Sequence, residues 1–414
     1  MVKKYKFSDV NRGVLFDKTD LEAIKRELSK GSSLNLDSKN STIKKFENNF
    51  AKLVGKKFAI SMSSCTAALR VACQTLNVKK GDEIIICKHS FWNTIVPFLE
   101  FGAKFHFVDT KKNSLSIDES QIKKYISKKT KAVIIWSHGG APCRADKIYN
   151  ICKKFNVPLI DDCAHSLGSY LNKKHVGYFS DISCYSFSTQ KNIVTLGEGG
   201  MLVTNNPNFA MKARGLKLCF PYGEFSFSKE DKKKNQKDYE KLFFLRPPKN
   251  VFKGYFKNIE NVGTNYKLTS VQAAVGINQL KKLKKYISQR RKIAKVYNDF
   301  IKKHKSFFDN FVEEKKTYNS YHLFNFMVKK NSFFSRDEFA FELKKRGLEI
   351  RNRFWPLNHH PALKYKTIRK VKTTNYEDIW FKNFFSLPIS ASMTKNDAIN
   401  VTRILSSTLN YFCK

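Results

Sequence analysis

The chain has 414 residues, of which 42% are hydrophobic and 36 are phenylalanine, a composition that excludes a largely disordered protein. Its formal net charge is +42, but the basic residues are spread along the whole chain, so compositional bias explains the charge better than a nucleic-acid partner does. Nine cysteines without a C-x-x-C pair, a start without an apolar signal core and the lack of a long apolar run predict a cytoplasmic protein that neither spans a membrane nor binds a metal.

Short apolar strands alternate with amphipathic helices through the first half of the sequence. The pattern begins with the strand-like KFAISMS and the helical CTAALRVACQTL, and it continues with EIIIC, FWNTIVPFLEFG and KFHFVDT. The segments KAVIIWSH, RADKIYNICKKFN, PLIDDCA, ISCYSF and GMLVTN follow. This alternation predicts βαβ units and therefore an α/β fold with a mostly parallel, buried central sheet.

The second half of the sequence has a different pattern. Residues 220–261 form a charged excursion, which predicts a surface segment or flap. From NYKLTSVQAAVGINQL onward the apolar spacing predicts a long amphipathic helix. A smaller α+β segment follows, with the strand YHLFNFMV, a helix between Ser335 as N-cap and Gly347 as C-terminal stop, and a last helix in TKNDAINVTRILSSTLNYF.

A single lysine lies in the stretch SFSTQKNIVTLGEGG, between a predicted strand and a glycine-rich turn. Lys191 is either a solvated surface cation or a residue at a strand end, where open α/β sheets bind their ligands. In the second case partial burial lowers the pKa of the amine and makes it nucleophilic, as Schiff-base chemistry requires.

Two aspartates end the apolar strand of LIDDCAHSLGS. A carboxylate at such a strand end suits pyridoxal phosphate, whose ring nitrogen needs an acidic partner for the ring to act as an electron sink. We assign that role to Asp162 and interpret Asp161 as the solvated acid. His165 is placed either against the cofactor ring or in a hydrogen bond to the ring hydroxyl. The alternative is an aspartate that caps a helix, beside a histidine satisfied in the core.

Two further strand ends carry residues that suit the same cofactor. In SMSSCTAAL small hydroxyl residues precede a helix whose N-terminal N–H groups can bind phosphate, although ordinary capping by Ser63 or Ser64 gives the same pattern. In CKHSFWNT, Phe91 or Trp92 is placed to stack on a flat ring, unless both belong to the core. One molecule of pyridoxal phosphate would use the lysine, the acid, the aromatic ring and the helix start together.

In this order the motifs resemble those of the DegT/DnrJ/EryC1/StrS family of pyridoxal-phosphate-dependent sugar aminotransferases. The similarity begins at STIKKFENNFAKLVGKKFAISMSSCTAAL, and YSFSTQKNIVTLGEGGMLVTN and VGTNYKLTSVQAAVGINQL are its most specific parts. The resemblance implies the fold type I aminotransferase architecture. A large cofactor-binding domain, residues 1–290, would contain a mostly parallel sheet flanked by helices, and residues 291–414 would form a smaller α+β domain.

The resemblance also implies roles for the matching residues. Lys191 would be the Schiff-base lysine, Asp162 the partner of the pyridine nitrogen, and His165 a neighbouring ring contact. Asn265 would reach the cofactor phosphate of a neighbouring subunit, which predicts a homodimer with shared active sites. The other implied cofactor contacts are Cys65, Thr66, Ala67, Phe91 and Ser186, and the implied substrate contacts are Ser188, His322 and Arg351.

Three features depart from the family pattern. Cys65 stands where the family usually has glycine, which adds a side chain where the backbone approaches the phosphate. Ser188 stands where the family commonly has histidine, so a polar contact to substrate is changed or absent. The excursion at 220–261 is longer than usual, which leaves the size of the substrate open.

The activity implied by the resemblance is transamination of a nucleotide-linked keto-deoxy sugar, with glutamate as amino donor, in the synthesis of amino sugars for surface glycans. A 4-keto-6-deoxyhexose is the expected acceptor. A sugar 3-dehydratase of the same superfamily is the nearest alternative, although those proteins have histidine at the position of Lys191. A basic nucleic-acid-binding protein is the alternative from a different class, and it predicts steep salt dependence of binding.

Overall fold

A computed structural model of the chain describes residue 7 and residues 16–31, 41–218, 263–330, 332–363, 379 and 382–413. The predicted excursion at 220–261 lies outside the described residues.

The described part contains a large central sheet, a small antiparallel sheet and a short three-stranded ribbon. The strands are β1 Phe58–Met62, β2 Glu83–Cys87, β3 Lys104–Val108, β4 Thr130–Trp136, β5 Leu159–Asp162, β6 Tyr170–Leu171, β7 Lys174–His175, β8 Ile182–Ser186, β9 Gly200–Thr204, β10 Phe308–Asn310, β11 Thr317–Tyr318, β12 Phe324–Val328 and β13 Phe384–Leu387.

The central sheet has seven strands in the order β1-β9-β8-β5-β4-β2-β3. The strands β3, β2, β4, β5 and β8 pair in parallel, and β9 is antiparallel to both of its neighbours. The prediction of a mostly parallel sheet is therefore confirmed. Since β1 is antiparallel to β9, it points the same way as β8, and the carboxyl ends of β1, β2, β4, β5 and β8 share one edge of the sheet.

Helices cover both faces of the central sheet, which explains why its strands are almost continuously apolar. In β2, Ile84 and Ile86 belong to the core on one face, and Ile85 and Cys87 belong to the core on the other. The helices are α1 Lys18–Leu28, α2 Thr42–Val54, α3 Cys65–Thr75, α4 Trp92–Glu100, α5 Glu119–Ile122, α6 Ala145–Lys154, α7 Pro207–Leu218, α8 Ser270–Lys303, α9 Arg336–Lys345 and α10 Lys395–Phe412.

The C-terminal part packs an antiparallel sheet, in the order β10-β12-β13, against α9 and α10. Its core is rich in aromatic rings, among them Phe308, Phe326 and Phe385, which are fully buried. Ser335 caps α9 through a reciprocal capping box with Glu338, as the sequence predicts. The strand β11 pairs with β6 in the three-stranded ribbon and so links this part of the chain to the segment that follows β5.

The helix α8 is 34 residues long and contributes to two cores. Leu283 and Ile287 pack with the core beside β8 and β9, whereas Ile293 and Tyr297 pack with the core of the C-terminal sheet. The two cores therefore separate within one continuous helix, near the proposed domain boundary at 290. The division at that residue stays a prediction.

None of the helices among the described residues combines the length and the apolar character that crossing a bilayer requires.

Gly200, the first residue of β9, lies against the turn that starts α3. A β-carbon at Gly200 would lie 2.6 Å from the backbone nitrogen of Cys65 and would overlap the carbonyl group of Ser64. We expect Gly200→Ala to lower the free energy of unfolding by about 3 kcal/mol, because backbone atoms must shift to admit the methyl group. Urea unfolding followed by circular dichroism measures this loss.

Gly31→Ala is the matched control for this prediction. Gly31 has a φ of +61°, but a methyl group added there would have nothing within 4 Å, so the substitution adds only conformational strain of about 1 kcal/mol. Equal losses for the two variants would contradict the steric explanation at Gly200.

Candidate active site

Asp162, the last residue of β5, is 3% exposed and has a defined set of partners at the shared sheet edge. Thr94 donates its hydroxyl proton to Oδ2 at 2.6 Å, and the backbone N–H of Ala164 donates to Oδ1 at 3.0 Å. Burial raises the pKa of the Asp162 carboxyl, while Thr94, Ala164 and the charge of Lys191 lower it in part. Since a carboxylate oxygen accepts two hydrogen bonds, Oδ2 can take a second donor besides Thr94.

Asp161 is not the solvated acid that the sequence analysis expects. It is 0% exposed, because successive side chains of a strand point to opposite faces and both faces of this sheet are covered by helices. Burial raises the pKa of Asp161 to about 7, so this carboxyl is partly neutral under ordinary conditions. It lies on the face of β5 opposite Asp162.

The helix α3 begins directly beside Asp162. Ser64 is its N-cap, and the Ser64 hydroxyl accepts a hydrogen bond from the N–H of Ala67 at 3.1 Å. Thr66 lies in the first turn and accepts a hydrogen bond from the Asn93 amide at 3.3 Å. The thiol of Cys65 is buried and lies 4.0 Å from Oδ1 of Asp162. The first turn of this 11-residue helix therefore lies beside the acid. We refer to the region bounded by the first turn of α3, Asp162 and the turn with Lys191 as the cleft.

Lys191 lies in the turn after β8 and is half-buried. Burial lowers the pKa of its amine to about 8; Cys65 and Asp162 oppose this shift, and the positive charge of Arg353 adds to it. The interpretation of Lys191 as an ordinary solvated cation is therefore wrong. An amine with this pKa is a far better nucleophile near neutral pH than a free lysine.

The glycine turn that follows Lys191 is fastened to the start of α8. The amide of Gln272 donates hydrogen bonds to the carbonyl oxygens of Thr195, at 3.3 Å, and Glu198, at 2.9 Å. The same side chain accepts the N–H of Thr269 in a capping box. Within the turn Gly197 adopts a φ of +106°, a conformation that a side chain would strain. The two sequence blocks that carry the family resemblance are thus in direct contact.

His165 and His322 lie together on one side of the cleft. Their ring centroids are 4.3 Å apart, and both pKa values lie well below the ordinary value because burial disfavours the charged ring. His165 accepts a hydrogen bond from the N–H of Gly139 at 3.3 Å. Nδ1 of His322 lies 3.3 Å from the amide oxygen of Asn192, the residue after Lys191. Both histidines are therefore neutral neighbours of the lysine turn.

Phe91 and Trp92, the two candidates for the ring-stacking residue, have different surroundings. Phe91 is 38% exposed at the start of α4, and its ring lies 4.8 Å from that of Phe354. Trp92 stacks on His360 at 3.5 Å and packs against the core. One face of the Trp92 ring is therefore covered by His360, whereas the ring of Phe91 is partly exposed.

The remaining predicted site residues differ in how close they lie to this centre. Ser186 ends β8, and its hydroxyl accepts the N–H of Ser188 at 3.4 Å, so both serines flank the lysine turn. Asn265 is exposed, next to Tyr266, whose carbonyl accepts the N–H of Ser63 at 2.8 Å. Arg351 is turned towards Glu349, to which its Nη2 donates at 3.0 Å. Their roles stay predictions.

Several residues at the cleft were missed by the sequence analysis. Thr94 and Asn192 lie inside quoted motifs, and their polar side chains shortly after β2 and β8 were the signal that could have identified them. Arg353 and Phe354 lie beside Arg351, in a stretch without local features that separate one arginine from the other.

These residues fit pyridoxal phosphate. Asp162 is a buried acid with a lone pair to spare, Lys191 is an amine of lowered pKa, and the start of α3 is a phosphate-type helix terminus. His165 and Phe91 offer ring surfaces in the same cleft. The cleft thus offers a partner for the ring nitrogen, the carbonyl group, the phosphate and the ring faces of the cofactor.

Known proteins resemble this chain in sequence and in structure. The model of the DegT/DnrJ/EryC1/StrS aminotransferase family matches residues 17–406. GDP-perosamine synthase of Escherichia coli O157:H7 is 30% identical over 370 residues, which cover 88% of this chain and 90% of that protein. GDP-4-keto-6-deoxy-D-mannose 3-dehydratase of E. coli O55:H7 is 31% identical over 331 residues, which cover 76% and 80%.

A solved structure has the same fold over nearly the whole chain. Helicobacter pylori PseC, an aminotransferase involved in the biosynthesis of pseudoaminic acid, superposes with a TM-score of 0.82 at 23% identity. The superposition covers 99% of this chain and 100% of that one. The predicted fold class is therefore confirmed.

The hydroxyl of Thr94 generates a prediction about cofactor binding. Thr94→Val keeps the shape of the side chain but removes the donor to Asp162, which raises the pKa of the carboxyl further and weakens its pairing with a pyridine nitrogen. We expect the dissociation constant for pyridoxal phosphate to rise about tenfold, as the loss of one hydrogen bond to a charged group implies. Absorbance titration of the cofactor-free protein measures it.

Thr94→Ser is the control, because it keeps the hydroxyl and loses only a methyl group. It should bind the cofactor nearly as well as the unchanged protein. An equal loss in both variants would assign the effect to packing instead of to the hydrogen bond.

Proposed function

The chain belongs to the DegT/DnrJ/EryC1/StrS aminotransferase family, and on that premise we propose that it transfers an amino group from glutamate to a nucleotide-linked keto-deoxy sugar. Membership confirms the predicted enzyme class and cofactor: the protein is a pyridoxal-phosphate-dependent aminotransferase of the sugar-modifying kind. The lowered pKa of Lys191, beside buried Asp162, is the observation that carries the proposal.

Each group of the cleft has a task in the proposed binding of the cofactor. When bound, pyridoxal phosphate supplies an electrophilic carbonyl and an electron-withdrawing ring. Asp162 would pair with the ring nitrogen, and the first turn of α3, with Cys65, Thr66, Ala67 and Ser186, would hold the phosphate. Phe91 and His165 would flank the ring. The donors Thr94 and Ala164 favour the charged form of Asp162.

Lys191 has two tasks in the proposed reaction. Its Nζ would hold the carbonyl group of the cofactor at rest and would be free while the amino donor is bound. The freed Nζ then takes the proton that leaves the α-carbon of the donor and later returns a proton, acting first as general base and then as general acid. A pKa of about 8 suits both directions, since neither form of the amine is rare near neutral pH.

The acceptor is proposed from the relatives and from the cleft. One relative is named for a GDP-linked product and another for a GDP-4-keto-6-deoxy sugar, which supports a nucleotide-linked 4-keto-6-deoxyhexose here. Ser188 and His322 lie near Lys191 and would contact the sugar, and Arg351 is the third proposed contact. The net charge of +42 would attract the diphosphate. The product would serve the synthesis of amino sugars for surface glycans.

A homodimer in the cytoplasm is the proposed setting. Asn265 is exposed next to the turn that starts α3, where a neighbouring subunit could receive it. The cysteines of the described residues are all free thiols, and seven of these are buried, as expected in a reducing compartment.

A sugar 3-dehydratase is the second candidate, because one relative is named for that activity. Dehydration needs no lasting covalent hold on the cofactor, whereas this chain keeps an amine of lowered pKa at the required place. Lys191 therefore favours transamination.

Two half-reactions test the proposed function. The purified protein should show a visible cofactor band that borohydride bleaches, and glutamate should convert that band and release 2-oxoglutarate. A GDP- or UDP-linked 4-keto-6-deoxyhexose should restore it, and the mass of the product separates amination from dehydration. Protein that stays colourless with pyridoxal phosphate, or a dehydrated product, would overturn the proposal.

The variant Lys191→Ala should lose the borohydride-sensitive band. Lys56→Met is the control, because Lys56 is also buried and burial lowers its pKa to about 8. Its Nζ donates to the carbonyl of Ser180 at 2.6 Å, before the amino end of β8, whereas Lys191 follows the carboxyl end of that strand. That variant should keep the band. A band that survives in Lys191→Ala would move the covalent link to another amine.

The pKa of Lys191 predicts how capture of the cofactor depends on pH. Only the unprotonated amine attacks a carbonyl, so the rate of covalent capture by cofactor-free protein should be half-maximal near pH 8 and fall about tenfold per unit below it. Stopped-flow absorbance between pH 6 and 10.5 measures the rate. A midpoint near 10.5, the ordinary value for lysine, would contradict the effect of burial.

A further inference from the structure

Asn192, the residue after Lys191, lies in the middle of a buried hydrogen-bond network. Its side chain is 3% exposed. The amide nitrogen donates to the carbonyl oxygen of Leu167 at 2.8 Å and to the hydroxyl of Ser320 at 3.3 Å. The amide oxygen lies 3.3 Å from Nδ1 of His322. Asn192 therefore connects the lysine turn to the segment after β5 and to the segment before β12.

The contacts of the Asn192 amide determine which of its atoms faces His322. A backbone carbonyl oxygen can only accept, so the amide nitrogen must face Leu167 and the amide oxygen must face the imidazole. Because the amide oxygen can also only accept, Nδ1 of His322 carries the hydrogen of this contact. Burial holds the pKa of His322 well below its ordinary value, so the ring is neutral. A neutral imidazole has one N–H, which leaves a lone pair on Nε2.

The backbone around His322 is held on both sides, which gives the ring a fixed position. Arg290 donates to the carbonyl oxygen of His322 at 3.2 Å, and the N–H of Leu323 donates to the carbonyl oxygen of Gly139 at 3.0 Å. Within the described part of the chain, no group forms a hydrogen bond with Nε2 of His322. The lone pair of this nitrogen is therefore left for a bound molecule.

His165, the ring beside His322, has the opposite tautomer. Its Nδ1 accepts the N–H of Gly139 at 3.3 Å, so its one ring hydrogen lies on Nε2. The two ring centroids are 4.3 Å apart. One of these neutral rings thus offers a hydrogen-bond donor and the other an acceptor, and the polarity of each is set by a different part of the chain.

We propose that Asn192 is a positioning residue that holds His322 as a hydrogen-bond acceptor, and that the sugar substrate places a hydroxyl group against Nε2. The inference rests on the proposed function and narrows one of its substrate contacts. A ketone, carboxylate or diphosphate oxygen has no hydrogen to donate and would face a lone pair. A sugar hydroxyl donates such a hydrogen, so the fixed tautomer selects it over those groups.

The experiment first determines the tautomer of His322 in the holoenzyme. Heteronuclear NMR with isotope-labelled histidine shows which ring nitrogen carries the hydrogen, and His322→Phe identifies the signal. Asn192→Leu removes the amide, whereas Asn192→Asp keeps an oxygen beside Nδ1. Ser320→Ala is the matched control, because it removes one partner of the amide nitrogen and leaves the contact with His322 in place. The visible band of the bound cofactor shows whether each variant is folded.

The expected result is a hydrogen on Nδ1 of His322 in the unchanged protein, in Ser320→Ala and in Asn192→Asp. In Asn192→Leu the hydrogen should no longer be held there. For the keto sugar, Asn192→Leu should raise the KM roughly three- to tenfold, with a smaller fall in kcat, because one neutral hydrogen bond is lost. Ser320→Ala should leave this KM nearly unchanged. In both variants the half-reaction with glutamate and the binding of GDP and UDP alone should also stay nearly unchanged.

Several outcomes would overturn the inference. A hydrogen on Nε2 of His322 in the unchanged protein would do so without any variant. An equal KM for the keto sugar in Asn192→Leu and Ser320→Ala would remove the effect of the tautomer. A loss that extends to GDP and UDP would assign Nε2 to the diphosphate, and an equal loss with glutamate would assign it to an amine. Failure of the proposed function looks different, because the unchanged protein would then show no half-reaction while the NMR result would stand.

Discussion

The rest of the site depends on one arrangement, in which the carboxyl group of Asp162 and the amine of Lys191 lie beside the same edge of the central sheet. Burial shifts the pKa of Asp162 upward and that of Lys191 downward, because both charged forms lose contact with water. Each charge offsets part of the shift of the other. Thr94 and Ala164 then hold the acid in one orientation, so the cost of burying it is met by hydrogen bonds as well as by the amine.

The sequence predicts the large sheet well because its signals are local. Each strand is a short apolar run, and each helix between strands has its own periodicity, cap or glycine stop. The ribbon of β6, β7 and β11 escapes prediction, since each of these strands has only two residues. Its pairing of Thr317 with Leu171 joins parts of the chain that are far apart in sequence, and neither residue signals the other.

Part of the site was predictable for a similar reason. Lys191, Asp162 and His165 each follow a recognisable strand, and parallel strands bring their carboxyl ends to one edge. Asp161 was misjudged because strand alternation alone does not say whether the second face is covered, and here it is covered by helices. Arg353 and Phe354 were missed because their position depends on how the C-terminal part of the chain returns across β2, which no local pattern records.

The hydrogen bonds from Gln272 to the glycine turn couple the position of that turn to the position of α8. At 1.5 Å per residue, the 34 residues of α8 make a rod about 50 Å long. One end of α8 hydrogen-bonds to the turn that follows Lys191, and the other end packs in the aromatic core of the C-terminal sheet. A displacement of that sheet would therefore be transmitted along α8 to the turn that holds Lys191.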